Sequence, residues 1–135
     1  MDQDMMKKAE EIIAKNSVQG GSYQGQICVI TVIDSEGFPF SSVATPSKAD
    51  GIKQLTFAIQ LDGDKAKCIA KCNRASVCFG TTEYSISLMG EVEIVTDAAV
   101  KKEMWYDSCS NFFDGPEDPN YGVLVFTTKR HKFFL

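Results

Sequence analysis

The stretch of sequence that decides the fold is residues 73–105, NRASVCFGTTEYSISLMGEVEIVTDAAVKKEMW. Residues 75–79 predict a short strand, and turn residues at 81–83 connect it to a long strand over 84–95. A helix over 98–108 follows. This change from a two-residue period to a helical period limits the fold to a small, β-rich set of architectures.

The long strand alternates apolar and polar side chains, which is typical of a strand with one buried face. Its apolar face holds Tyr84, Ile86, Leu88, Val92 and Ile94, and its other face holds Ser85, Ser87, Glu91 and Glu93. We interpret the two glutamates as surface charges. Gly90 interrupts the alternation and predicts a bulge or sharp bend, as barrels need at their corners. Thr96 and Asp97 are typical of a helix N-cap.

Upstream of this stretch, the sequence predicts three more strands. Residues 26–34 are rich in β-branched side chains, residues 34–37 supply turn chemistry, and residues 38–45 return as a second strand. These two strands should form a hairpin. Residues 46–53 are expected to be a polar connection, and the mostly apolar residues 55–60 predict a third strand.

Helices are predicted at two further places. Residues 2–15 have apolar side chains near helical spacing, and glycines and small polar residues at 16–25 end that helix. Residues 65–72 predict a second helix, whose first turn Asp62 or Asp64 can cap.

The C-terminal part completes the architecture. Residues 111–120, NFFDGPEDPN, form a loop whose two phenylalanines need a cover. Residues 121–128 predict a sixth strand, and residues 130–135 extend it or add another. Six or seven strands, three helices and no βαβ alternation predict a mainly β fold: an antiparallel barrel with peripheral helices, in one domain over 1–135.

Length and charge narrow the classes of function. The chain has 135 residues and a net charge of −4, whereas a nucleic-acid binder needs a basic face. No apolar run approaches the roughly 20 residues that cross a bilayer. Residues 1–16 are charged and lack the apolar segment of a signal peptide. We therefore expect a cytoplasmic protein without a nucleic-acid or membrane partner.

The cysteines fit a reducing compartment better than a disulfide framework, because their number is odd. They are Cys28, Cys68, Cys72, Cys78 and Cys109. Cys68 and Cys72 can share one face of a helix, but a zinc site needs four ligands and the single histidine, His131, is distant in sequence. We expect no metal site and treat the thiols as buried or incidental, leaving a redox role open.

The motifs of self-contained catalysis are missing from the sequence. It has no nucleophile elbow, no HExxH, no P-loop and no Rossmann glycine fingerprint. One histidine near the C-terminus is a poor basis for a Ser-His or Cys-His system. If the chain is an enzyme, a cofactor is expected to supply the chemistry.

Four segments, in order, carry a resemblance to a known family. They are TVIDSEGFPFSS at 31–42, LTFAIQLDGDKAKCIAKCNRASVCF at 55–79, SISLMGEVEIVTDAAVKKEMW at 85–105 and FFDGPEDPNYGVLVFTTKR at 112–130. Together they resemble the pyridoxamine 5′-phosphate oxidase-like superfamily, the FMN-binding split barrel, and within it the general stress protein branch.

The resemblance implies a homodimer with FMN in clefts between the subunits. Residues on the second and third strands would line the flavin: Ser41, Ser42, Val43, Ala44, Phe57, Ala58 and Ile59. Lys65 matches the lysine that contacts the phosphate. Trp105 and either Phe112 or Phe113 match the aromatic cover that the partner subunit supplies, although Trp105 also suits a core or interface position.

Physical chemistry supports Lys65 as the phosphate contact, but other positions near the expected phosphate depart from the family pattern. Lys65 lies near a helix start, whose free N–H groups attract anions, although a solvated surface lysine is the alternative. Many relatives carry an arginine on the second strand, whereas this chain reads Phe40-Ser41-Ser42-Val43. The serine that usually precedes the phosphate lysine in the family is replaced around Gly63-Asp64, which adds an acidic residue close to the expected phosphate position. These departures predict weaker FMN binding than in an arginine-bearing relative.

Two functions remain open from the sequence. The first is an FMN-dependent oxidoreductase that passes electrons from a reduced nicotinamide to a small acceptor. True pyridoxamine-phosphate oxidation is not expected, because no second basic cluster is present to hold a substrate phosphate. The second is a non-catalytic module that binds or senses a flavin or another flat ligand, with a degenerate phosphate site.

Overall fold

A seven-stranded antiparallel sheet dominates the structure, a computed structural model that describes residues 3–19 and 27–135. The strands are β1 (Cys28–Ile33), β2 (Pro39–Ala44), β3 (Lys48–Asp50), β4 (Gln54–Gln60), β5 (Arg74–Gly80), β6 (Ser85–Val95) and β7 (Tyr121–Phe134). Their order is β2-β1-β5-β6-β7-β4-β3, so β2 and β3 are the edges. The sheet is not closed, which confirms the predicted split barrel.

Three helices and one short 3₁₀ helix accompany the sheet in the described residues. They are α1 (Gln3–Lys15), α2 (Asp64–Lys71), α3 (Ala98–Met104) and the 3₁₀ helix Asp107–Asn111. Within 3–19 and 27–135, no helix has the length and hydropathy of a membrane-spanning segment. The predicted helix start at residue 2, the glycines at 20–25 and the predicted strand start at residue 26 lie outside the described residues.

Two predicted helix boundaries are wrong. Neither Asp62 nor Asp64 caps α2, because its N-cap is Gly63, which has no side chain to accept a hydrogen bond. The third helix ends at Met104, and Trp105 has extended backbone, so the segment predicted as helix to residue 108 breaks into α3 and the 3₁₀ helix. Asp97 is the N-cap of α3 as predicted, although its side chain forms no capping hydrogen bond.

The polar connection predicted at 46–53 contains a strand, β3. It pairs with β4 through Lys48↔Thr56, Ala49↔Leu55 and Asp50↔Gln54. Three polar or small residues are too few to show the alternation of a strand. They form a strand only because they pair with β4. At the other end of the chain, residues 130–135 mostly extend β7 rather than adding a strand.

A register shift between β6 and β7 confirms the irregularity predicted at Gly90. Met89 pairs with Arg130 and Gly90 pairs with Thr128, so Lys129 is an extra residue on β7. The two backbones approach closely there: an added Cβ on Gly90 would overlap the Thr127 carbonyl oxygen and lie 2.9 Å from its carbonyl carbon. Only glycine fits this crossing without movement of the strands.

The extra residue also decides which side chains of β7 are buried together. Phe126, before Lys129, and Phe133, after it, both belong to the main core, although their numbers differ in parity. The main core also holds the apolar face of β6, including Ile86 and Leu88, whereas Glu91 and Glu93 are exposed as predicted. A second cluster lies beneath α3 and consists of Met104, Cys109, Phe113, Tyr121 and Val123.

Candidate functional site

A cleft of about 550 Å³ lies where the open sheet fails to close. Its walls come from β2, from β4, from the start of α2 and from residues 106–113. In the sheet order, β2 is one edge and β4 stands next to the other edge, so the cleft occupies the gap between the two ends of the sheet. This volume lies within the range of small-molecule sites, about 300–1,000 Å³.

Most of the site residues predicted from the sequence line this cleft. They are Ser42, Val43, Ala44, Phe57, Ala58, Ile59, Lys65, Phe112 and Phe113. The structure therefore brings together residues that are up to 71 positions apart, from Ser42 to Phe113. Phe112 and Phe113 lie on the cleft of their own chain.

Two predicted residues do not line the cleft. Ser41 is paired with Thr31 of β1, and their hydroxyl groups are 2.8 Å apart. Its neighbours Ser42 and Val43 both line the cleft. Trp105 packs instead against the second cluster, edge-on to Tyr121 at 5.4 Å and tilted to Phe113 at 6.4 Å between ring centroids.

Lys65 is the only cation among the described residues that line the cleft. Its side chain is half-buried in the first turn of α2, and it forms no salt bridge with any described residue. Burial lowers the pKa of Lys65, and the nearby Cys28 thiol partly opposes that shift. An ammonium held without a carboxylate partner is suited to an anionic ligand.

The start of α2 adds backbone donors at the same place. Gly63, Asp64 and Lys65 all line the cleft, and no described side chain caps the helix. The first N–H groups of a helix have no partner within the helix and attract anions. An anionic group near Lys65 would therefore meet both the ammonium and these N–H groups.

Ser42 supplies an orphaned polar atom in the cleft wall. Its Oγ is buried and has no hydrogen-bond partner among the described residues. A buried hydroxyl without a partner is unfavourable, and rotation of the Ser42 side chain toward the cleft would let a polar ligand atom satisfy it. Ser42, Lys65 and the start of α2 together fit a ligand with an anionic, hydrogen-bonding tail.

The remaining wall of the cleft is apolar or neutral. Phe57 and Ile59 of β4 are 2% and 5% exposed, and Phe112 stands at the rim, 68% exposed. Sequence reasoning missed several lining residues: Ile27, Phe40, Thr45, Gln60, Gly63, Tyr106, Ser108, Cys109 and Asn111. For the residues at 106–111, the signal was weak because a short 3₁₀ helix has no long periodicity.

The thiols beside the cleft are held neutral. Burial raises the pKa of Cys28 to about 12, despite the opposing effect of Lys65. Burial also raises the pKa of Cys109, which lines the cleft. Because the thiolate is the nucleophile, neither cysteine is activated for covalent chemistry.

Lys101 of α3 braces the segment that forms the aromatic wall. Its ammonium donates to the Asp118 carbonyl oxygen at 3.1 Å and lies 5.4 Å from the centre of the Tyr121 ring. The Tyr121 hydroxyl donates to the Lys101 carbonyl oxygen at 2.8 Å. The Asp118 carboxylate accepts from the N–H groups of Asp114 and Asn120, and these bonds lower its pKa.

Replacing Lys101 by alanine is expected to lower the free energy of unfolding by about 2 kcal/mol, because it removes a charge-assisted hydrogen bond and a buried stem. Lys101 is 9% exposed, whereas its neighbour Lys102 is exposed and provides the matched control, Lys102→Ala. Urea unfolding at one protein concentration measures both. Equal effects of the two substitutions would contradict the brace.

Comparison with protein-family models identifies the family. The model described as pyridoxamine 5′-phosphate oxidase matches residues 14–134. The chain belongs to this family. No curated protein sequence matches this pyridoxamine 5′-phosphate oxidase family member.

Solved structures similar to this family member share its fold. A Clostridium acetobutylicum protein related to general stress protein 26 of B. subtilis is 21% identical, with a TM-score of 0.83, and the match covers 99% of this chain and 90% of that one. General stress protein 26 of Bacillus anthracis is 20% identical, with a TM-score of 0.75 and coverage of 93% and 92%. An F420 reductase is 17% identical, with a TM-score of 0.62 and coverage of 78% and 88%.

Proposed function

We propose that this chain is an FMN-binding flavoprotein that works as an oxidoreductase, passing electrons from a reduced nicotinamide to a small acceptor. The observation that carries the proposal is the half-buried ammonium of Lys65, which has no salt bridge to a described residue and stands at a helix start in a largely apolar cleft. Membership of the pyridoxamine 5′-phosphate oxidase family and likeness to a reductase support it.

The residues present fit FMN. Lys65, the N–H groups at the start of α2 and the orphaned Ser42 hydroxyl would hold the phosphate end. Phe57, Ala58 and Ile59 of β4 would face the flat ring, since an apolar wall excludes water from it. When bound, FMN supplies hydride and electron transfer, and the protein supplies binding, orientation and shielding. Lys65 is the single cation in the cleft lining that the structure describes, so a second phosphate-bearing substrate is not part of the proposal.

The absorption spectrum tests the proposal. Purified protein is expected to show flavin bands, or to acquire them with saturable binding at micromolar FMN. Anaerobic bleaching of the bound flavin by a reduced nicotinamide then tests the oxidoreductase step. Absence of FMN binding at these concentrations would contradict the proposal.

We further propose a homodimer with the cofactor at the subunit interface. Three side chains that line the cleft, Phe40, Val43 and Phe112, are 36%, 63% and 68% exposed in the single chain. Covering them with a second copy would bury apolar surface and close the cleft. Light scattering is expected to give twice the chain mass of 14.9 kDa. A strict monomer would contradict the two-subunit cleft.

A second candidate is a non-catalytic flavin-binding or flavin-sensing protein. Two features of the described cleft lining favour this function. No arginine accompanies Lys65 there, and Asp64 lies beside Lys65. FMN that binds but is not reduced by a nicotinamide would support this function over the first.

For either function we propose a cytoplasmic location, which the five free cysteines support.

A further inference from the structure

We infer that Asp64 makes this cleft poorly selective for the phosphate of its ligand, so that the protein binds riboflavin about as well as FMN. The inference rests on the proposed flavin site and names the ligand class that the site accepts: flavins with or without an anionic tail.

The described residues that line the cleft carry no net charge. Of the described residues that line it, Asp64 and Lys65 are the charged ones, and they are adjacent in the first turn of α2. The phosphate of FMN carries about −1.5 to −2 charges near neutral pH. A neutral lining gives such a group little net Coulomb attraction, whereas it leaves an uncharged ribityl tail unaffected.

No described residue neutralises Asp64. Its carboxylate is exposed and forms no hydrogen bond or ion pair with any described residue, Lys65 included. Its charge therefore acts on whatever occupies the start of α2. Lys65, by contrast, is half-buried and is the one attractive charge for a phosphate in the described lining, so the exposed carboxylate beside it offsets that attraction.

The ring end of the cleft does not depend on this balance. Phe57, Ala58 and Ile59 are uncharged and lie on β4, in a different element from the two charged residues. They offer the same apolar wall to riboflavin and to FMN, because the two ligands share one ring system. Discrimination between them must come from the tail, and therefore from α2 and Ser42.

Fluorescence titrations with riboflavin and with FMN test the inference on the full chain. For the unaltered protein, we expect the two dissociation constants to lie within about tenfold of each other. Asp64→Asn is expected to tighten FMN binding about three- to tenfold and to leave riboflavin binding within about twofold. Asp62→Asn is the matched control, because Asp62 is an exposed carboxylate two residues before Asp64 and does not line the cleft.

The salt dependence of FMN affinity is a second measurement, and a purely structural role of Asp64 would not change it. Tightening of FMN binding by Asp64→Asn should shrink as salt is added, since exposed charges are screened. If Asp64 only favours the start of the helix, the same substitution would alter the affinities for both flavins equally, which would overturn the inference. A preference for FMN above about tenfold in the unaltered protein would overturn it as well. Binding of neither flavin would overturn the proposed function together with the inference.

Discussion

Replacement of Lys65 by alanine is expected to weaken FMN binding about ten- to a hundredfold. The substitution removes the single cation from the described cleft lining and leaves Asp64 beside the phosphate. A hydrogen bond to a charged group is worth about 1.5–3 kcal/mol, and each 1.4 kcal/mol is about a tenfold change in affinity. Fluorescence titration of the variant with FMN measures the loss.

Lys67→Ala is the matched control for this substitution. Lys67 lies in the same helix, is exposed, and does not line the cleft, so its removal should change FMN affinity by less than about twofold. Riboflavin is the matched ligand, because its affinity should not respond to the loss of Lys65. An unchanged affinity of Lys65→Ala for FMN would show that the phosphate lies elsewhere.

The pH dependence of FMN binding should also show the contribution of the Lys65 ammonium. Burial lowers the pKa of Lys65 below its usual 10.5, so the free protein loses the ammonium at a lower pH than an exposed lysine would. FMN affinity is therefore expected to be highest below that lowered pKa and to fall as the pH rises through it. The alkaline fall should be missing in Lys65→Ala.

Gly90→Val is expected to lower the free energy of unfolding by about 3 kcal/mol or more. A side chain at this position would overlap the Thr127 carbonyl oxygen and crowd Thr128 Cα at 3.1 Å. Both neighbours are backbone atoms of β7, so a rotamer change cannot relieve the clash and the strands must move. Urea unfolding at one protein concentration measures the effect.

Gly115 provides the control for this prediction, because a Cβ added there meets nothing within 4 Å. Gly115→Val should change the free energy of unfolding by less than about 1 kcal/mol. If Gly90→Val does not fold, Gly90→Ala keeps the comparison measurable and is expected to be destabilised in the same direction. Equal stability of the Gly90 and Gly115 variants would contradict the close approach.

The parts of the fold that depend on local patterns were predictable from the sequence. The alternation of β6, the N-cap position at Asp97 and the irregularity at Gly90 all involve neighbours in the chain. β3 was not predictable, because its three residues become a strand only by pairing with β4. The end of α3 at Met104 was missed for a similar reason: packing of Trp105 against Tyr121, 16 residues later, accompanies the extended backbone there.

The candidate site was predictable in its elements but not in every side chain. Lys65 could be placed because the sequence predicts a helix start after β4 and the family resemblance matches this lysine to the phosphate contact. The choice between Ser41 and Ser42 could not be made, because β2 is an edge strand with polar and apolar residues on both faces. The segment that holds Phe112 and Phe113 on their own chain's cleft also makes the Lys101–Asp118 contact, which no local pattern encodes.

Because the cleft lies in the gap between the two ends of the sheet, a ligand there would link those ends. β2 has one strand neighbour among the described strands, β1, and no strand pairing within them joins it to β4 across the opening. A molecule bound in the cleft would contact both β2 and β4, which no backbone hydrogen bond between described strands connects. Ligand binding is therefore expected to stabilise the folded chain and to fix β2 relative to β4.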